Sequence, residues 1–179
     1  MEGMGTDILE TMGLDVGDQV LLDASAIIAY MEGEGRAKDA MDAIVDIAGS
    51  GMLKLRASAI VWTEVLRAPA SSETALAYRR FLADSTRIEI VPVDVAIAYA
   101  AAGMLAGQDR RRGSGRGDAA SSSAAERGPE PFLADALHLA TAVVGRCKAV
   151  VTNDEAWKQA APRNLRVIIL DELAAAYSL

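Results

Sequence analysis

The chain predicts an α/β fold of three layers, with helices on both faces of a central parallel sheet. Short apolar runs alternate with helical patterns along most of its length. That alternation yields parallel strands joined by crossover helices. Hydrophobic residues make up 51% of the 179 residues and aromatics only 4%. One domain can therefore close on an aliphatic core of Ala, Leu, Ile and Val.

The elements follow in order. Gln19 to Asp23 is an apolar run ending in an acid and reads as a buried strand. Ser25 to Met31 reads as helix. So does Arg36 to Ala48, where Ala37, Ala40, Met41, Ile44, Val45 and Ala48 recur at helical spacing. Gly49, Ser50 and Gly51 stop it. Met52 to Ala57 is a second strand and Ser58 to Ala68 a helix that ends at Pro69. Ser71 and Ser72 can cap a helix that reaches Ala83. Arg87 to Val91 is a third strand, and Asp94 can cap an Ala-rich helix reaching Ala106. Leu133 to Val144 is helical, Ala149 to Val151 a strand, Asp154 to Ala160 a short helix and Leu165 to Leu170 a last strand.

Residues 1–18 read as an N-terminal extension and 19–179 as the domain. Residues 107–131 read as a flexible insert inside it, because they are rich in Gly, Ser, Arg and Pro and keep no apolar period. The insert carries Arg110, Arg111, Arg112, Arg116 and Arg127, which could meet RNA phosphates or a partner; an idle insertion explains them as well. Gly113 to Gly117 follows arginines, not a strand, and lacks the lysine ending of a phosphate loop.

Charge and cysteine use exclude several classes. The net charge is -7, which argues against a plain nucleic-acid-binding module but less against a nuclease whose acids hold cations. Cys147 is the single cysteine, so no internal disulfide can form; it reads as a small buried hydrophobe. His138 is the single histidine, and with so few His and Cys no zinc cluster is available. Met1 to Asp18 has no basic start, and charges break the apolar runs before a membrane span is reached. The expected location is the cytoplasm.

Four acids then stand out. Asp23 and Asp154 follow the ends of strands, at the sheet edge where α/β folds bind ligands. Each could instead cap the helix that follows, and Thr152 with Glu155 has capping-box spacing. Glu64 and Asp135 interrupt apolar helices; each could simply face solvent. If the four converge, they cannot all stay ionised without a cation. Hard oxygen ligands suit Mg²⁺ or Mn²⁺, ions that can activate a water against a phosphodiester.

Four segments carry a family resemblance: Val20-Leu-Leu-Asp-Ala-Ser-Ala-Ile-Ile28, Ser58-Ala-Ile-Val-Trp-Thr-Glu-Val-Leu66, Leu133-Ala-Asp-Ala-Leu-His-Leu-Ala-Thr-Ala142 and Val150-Val-Thr-Asn-Asp-Glu-Ala-Trp157. In order and spacing they resemble PIN domains, the fold of many VapC-type toxin ribonucleases, from about Val20 to Leu173. The resemblance implies a divalent-metal endoribonuclease with Asp23, Glu64, Asp135 and Asp154 as catalytic and metal-binding residues. It places Ser25 beside the first acid, where it could hold a water or phosphate, and makes Asn153 an accessory residue. His138, three residues after Asp135, could share its helix face and serve as a ligand or general base, but reads first as a helix residue of the family pattern without catalytic duty. The implied partners are an RNA substrate, a protein antitoxin and, as an open assembly, a second copy. Two other readings stand beside the toxin: a stand-alone PIN nuclease in RNA processing and a non-catalytic PIN-like scaffold. A receiver or phosphatase-type domain ranks last, because the first strand gives Asp-Ala-Ser and no paired acids.

Overall fold

The structure is a computed structural model that describes residues 2–33, 35–67, 71–113 and 133–177, with the side chains of 5–33, 35–67, 71–106 and 133–176. Its elements run α1 (Glu2–Met12), β1 (Gln19–Leu22), α2 (Ala24–Glu32), α3 (Arg36–Gly49), β2 (Lys54–Ser58), α4 (Val61–Val65) and α5 (Ser72–Ala83). They continue with β3 (Ile88–Val91), α6 (Val95–Gly113), α7 (Leu133–Val144), β4 (Ala149–Thr152), α8 (Trp157–Ala160), β5 (Arg166–Ile169) and α9 (Leu170–Tyr177).

The five strands form one sheet in the order β3-β2-β1-β4-β5, and every pairing is parallel. Side chains alternate across it. Val20, Leu22, Leu55, Ala57, Ile88, Ala149 and Val151 face one core, shared with α1, α2, α3, α5 and α9. Leu21 and Val150 face the other, against Leu139 and Ala142 of α7. Both faces are covered, so the strands read as unbroken apolar runs. Each fully buried Leu or Ile contributes roughly 1.5–3 kcal/mol. Parity also fixes what comes next: Asp23 and Thr152 continue the phase of Leu21 and Val150, toward α7.

Several boundaries differ from the sequence reading. The helix expected from Ser58 shrinks to α4, because Ser58 stays in the ladder opposite Val91 and Ala59 N–H donates to Val91 O. The helix expected from Asp154 starts at Trp157. Helix α6 runs to Gly113, past the expected end at Ala106 and into the expected insert. Gln and Arg are good helix formers, so the loss of apolar period there does not end the helix. The rest of that insert, 114–131, lies outside the described residues. Two helices were not assigned from the sequence. Within the expected extension, α1 buries Ile8, Leu9 and Met12. Helix α9 follows β5 without a loop and buries Leu170, Leu173 and Ala174 at helical spacing. Among the described residues no helix is long and apolar enough to cross a membrane.

Candidate metal centre at the β1–β4 edge

The sheet order reverses between β1 and β4: from β1 the chain builds outward to β2 and β3, then returns to place β4 on the other side. Such a switch point opens a crevice beyond the carboxyl ends of the two strands. Asp23 lies there. Its extended backbone makes it the N-cap of α2, and its Oδ1 accepts from Ala26 N–H at 2.8 Å. Cap and buried acid are thus one residue, only 5% exposed.

Two hydroxyls complete its setting. Ser25 Oγ donates to Asp23 Oδ1 at 2.8 Å, with Oδ2 at 3.1 Å. Thr152 Oγ1, at the end of β4, donates to Oδ2 at 2.7 Å. Each hydroxyl in turn accepts a backbone N–H: Asn153 N–H donates to Ser25 Oγ at 2.8 Å and Asp154 N–H to Thr152 Oγ1 at 3.0 Å. An ionised carboxylate only accepts, so both hydroxyls donate to Asp23, while Ser25 Oγ and Thr152 Oγ1 also lie 3.2 Å from each other. A carboxylate has about four lone-pair sites. Ala26, Ser25 and Thr152 direct three protons at them, with Ser25 shared between Oδ1 and Oδ2. Burial pushes the Asp23 carboxyl above its ordinary value; the bonds from Ala26, Thr152 and Ser25, and the field of His138, oppose that rise.

Glu64 and Asp135 arrive from other elements. Helix α7 delivers the chain to the start of β4, so its first turn, with Asp135, lies toward the carboxyl edge of the sheet. Asp135 is half-buried there, and an acid in the first turn also suits the helix dipole. Glu64 sits on α4 and does not simply face solvent. Its side chain is 30% exposed, and its Oε2 meets His138 Nε2 at 2.7 Å. His138 is 1% exposed, with its ring 6.0 Å from that of Trp157. Asp154 is different: its side chain is exposed, and its Oδ1 accepts from Ala156 N–H at 2.9 Å in the turn before α8. The Asn153 side chain is exposed as well; its backbone N–H is what touches the network.

The sequence reading left two contributors out. Thr152 was assigned to a capping box, but α8 starts too late for it and the hydroxyl turns to Asp23. Its phase, two residues after Val150, was the available signal. His138 was ranked as an idle helix residue above a ligand or base role, although its spacing from Asp135 put the two on one helix face.

Cation binding can be judged from the donors. Asp23, Glu64 and Asp135 offer carboxylate oxygens, the chemistry of a hard divalent ion, and a cation would relieve the burial of Asp23. Among the described residues no three His, Cys, Asp or Glu side chains form a ready-made metal cage. Mg²⁺ does not require one, because it commonly keeps several waters and takes one or two protein carboxylates. The donor set therefore fits.

Comparisons with known proteins agree with this layout. The PIN domain family model matches residues 20–162. No curated protein sequence matches the chain. Among solved structures, the chain is similar to VapBC2 from Rickettsia felis bound to a promoter DNA fragment, with 15% identity over 86% of this chain and 99% of that one, at a TM-score of 0.60. It is also similar to Mycobacterium tuberculosis VapC20, described as a sarcin–ricin loop cleaving toxin, with 17% identity over 82% and 98% of the two chains and a TM-score of 0.56. DNA-bound VapBC from Salmonella typhimurium gives 15% identity over 85% and 98%, also at 0.56. These likenesses concern the fold; the family match spans most of the chain and all four carboxylate segments, and by it the chain belongs to the PIN domain family.

Proposed function

We propose that the chain is a divalent-metal-dependent endoribonuclease, the toxin of a toxin–antitoxin pair, acting in the cytoplasm with Mg²⁺ or Mn²⁺. One observation carries the reading: at the sheet's switch point a buried carboxylate, Asp23, is held in place by three protein donors where α/β sheets bind ligands. The PIN family match and the likeness to VapBC structures support the choice of reaction and partner.

Asp23, Glu64 and Asp135 are the proposed principal ligands, and Asp154 a fourth at the rim. The ion, when bound, supplies Lewis acidity toward a phosphoryl oxygen and makes a water more acidic. The chain's own part is preorganisation. Ser25 and Thr152 hold Asp23 in one orientation, and their hydroxyl oxygens are in turn held by the amides of Asn153 and Asp154. Ser25 therefore acts first on Asp23; its proposed contact to a water or phosphate uses whatever hydrogen-bonding capacity remains. A protein antitoxin would suppress cleavage by covering the edge.

The test is an RNase assay with and without Mg²⁺ or Mn²⁺, on wild type, Asp23→Asn and Asp135→Asn. Metal-dependent cleavage lost in both variants is expected. A wild type that binds RNA and never cleaves it favours the non-catalytic scaffold, while cleavage equal in all three chains moves the site elsewhere.

A further inference from the structure

We propose that His138 is a positioning residue: its buried imidazole holds the Glu64 carboxylate toward the turn of α7 that carries Asp135. The proposal rests on reading Glu64 as a cation ligand.

Glu64 lies on α4, a helix of only five residues, with no side-chain cap. So short a helix has little cooperativity of its own to fix a long side chain. A Glu side chain also loses considerable rotamer freedom when held, so a fixed orientation requires a strong partner. His138 is that partner. An ionised carboxylate only accepts, so Nε2 is the donor across the 2.7 Å contact.

The imidazole is itself well anchored. It is 1% exposed, on a helix whose Leu139, Ala140, Thr141 and Ala142 are all buried. Trp157, 3% exposed, lies against it with the rings tilted by 49°. Its Nδ1 is buried without a hydrogen-bond partner among the described residues. The bond to Glu64 is therefore the one hydrogen bond recorded for the ring there. A side chain kept only to fill the core would be better as Leu or Met, which bury no orphan nitrogen. Asp135 is three residues earlier on α7, a spacing that puts the two side chains on one helix face. Holding Glu64 at His138 thus ties the α4 carboxylate to the face of α7 that carries Asp135, although the two helices are far apart in sequence.

The experiment uses the full chain without RNA. Mn²⁺ binding is measured by calorimetry for wild type, His138→Leu, His138→Gln, Glu64→Gln and the His138→Leu/Glu64→Gln pair, with folding checked by circular dichroism. Leu fills the space without a donor, whereas Gln can present an N–H at similar reach. His138→Leu should weaken Mn²⁺ about 10–100-fold, as loss of an outer-shell partner does. His138→Gln should recover most of that loss, and His138→Leu should add nothing on the Glu64→Gln background. A folded His138→Leu that binds Mn²⁺ like wild type overturns the role of His138 alone. A His138→Gln that stays as weak as His138→Leu overturns the hydrogen bond as its cause. A wild type that binds no Mn²⁺ overturns the cation reading, and this role with it. Should His138→Leu fail to fold, the wild-type chain still decides by ¹⁵N NMR. The Hε2 proton of His138 should resonate downfield and shift in Glu64→Gln, and an unchanged resonance overturns the proposal.

Discussion

β1 and β4 are neighbours, run in the same direction and are each followed by an acid and then a helix. Their acids end differently. Asp23 is buried, caps α2 directly and accepts from two hydroxyls. Asp154 is exposed and closes a local turn, with α8 starting three residues later. The difference comes from the chain between strand and helix. After β1 the helix begins at once, so Asp23 keeps the strand's alternation and points into the crevice. After β4 Thr152 takes that inward position, and two further residues carry Asp154 out to solvent. Equivalent sequence patterns therefore supply one buried acid and one rim acid, with a threonine standing where the second buried acid could have been.

The comparison is most directly broken at Asp23. Asp23→Asn should lower metal-dependent cleavage by at least about a hundredfold, the upper end of what losing an outer partner costs. Asn is as good an N-cap as Asp, so α2 should persist, whereas Asp23→Ala should cost about a further 1 kcal/mol in urea unfolding. If the Asn variant cleaves like wild type, the buried acid is a cap only. Thr152→Val comes next. It keeps the shape, removes the donor to Asp23 and leaves the Asp154 N–H without its partner. A loss of about 1–3 kcal/mol in stability is expected for such a buried deletion, together with about tenfold slower cleavage.

Asp154→Ala should do less. An exposed turn residue usually changes stability by about 0.5 kcal/mol or less, and cleavage should fall only a few-fold. A loss as deep as that of Asp23→Asn would make rim and buried acids equal and end the distinction.

The smallest effect is expected at the other end of β4. Burial pushes the Cys147 thiol up to about 11. The neutral thiol is therefore favoured by folding, and its contribution is complete below the ordinary thiol range and lost as pH rises through the folded value. Iodoacetamide at pH 8 should label folded protein at least about a hundredfold more slowly than unfolded protein, with no change in cleavage. Fast labelling of the folded chain would show that this end of the strand opens to water.

Much of this was legible beforehand, for identifiable reasons. The period of apolar residues gave α3, because a buried helix face must repeat every three or four residues, and the capping serine Ser71 marked the start of α5. Asp23 was legible because a charge ending an apolar strand falls at a ligand-binding edge. Glu64 was left between solvent and site, and only the structure shows its carboxylate against His138. Helices α1 and α9 went unassigned although each carries apolar residues at helical spacing; they pack against one another, and α9 also against α3.

The sequence by itself determined the layers, the parallel sheet and the acids that stand at its carboxyl edge. These depend on local hydrophobic period and chain order, which are written along the chain. Tertiary structure alone decided which hydroxyls turn to Asp23, which acid lies outside and which imidazole takes Glu64. Those depend on contacts across 129 and 74 residues of separation, and no local pattern records a partner that far away.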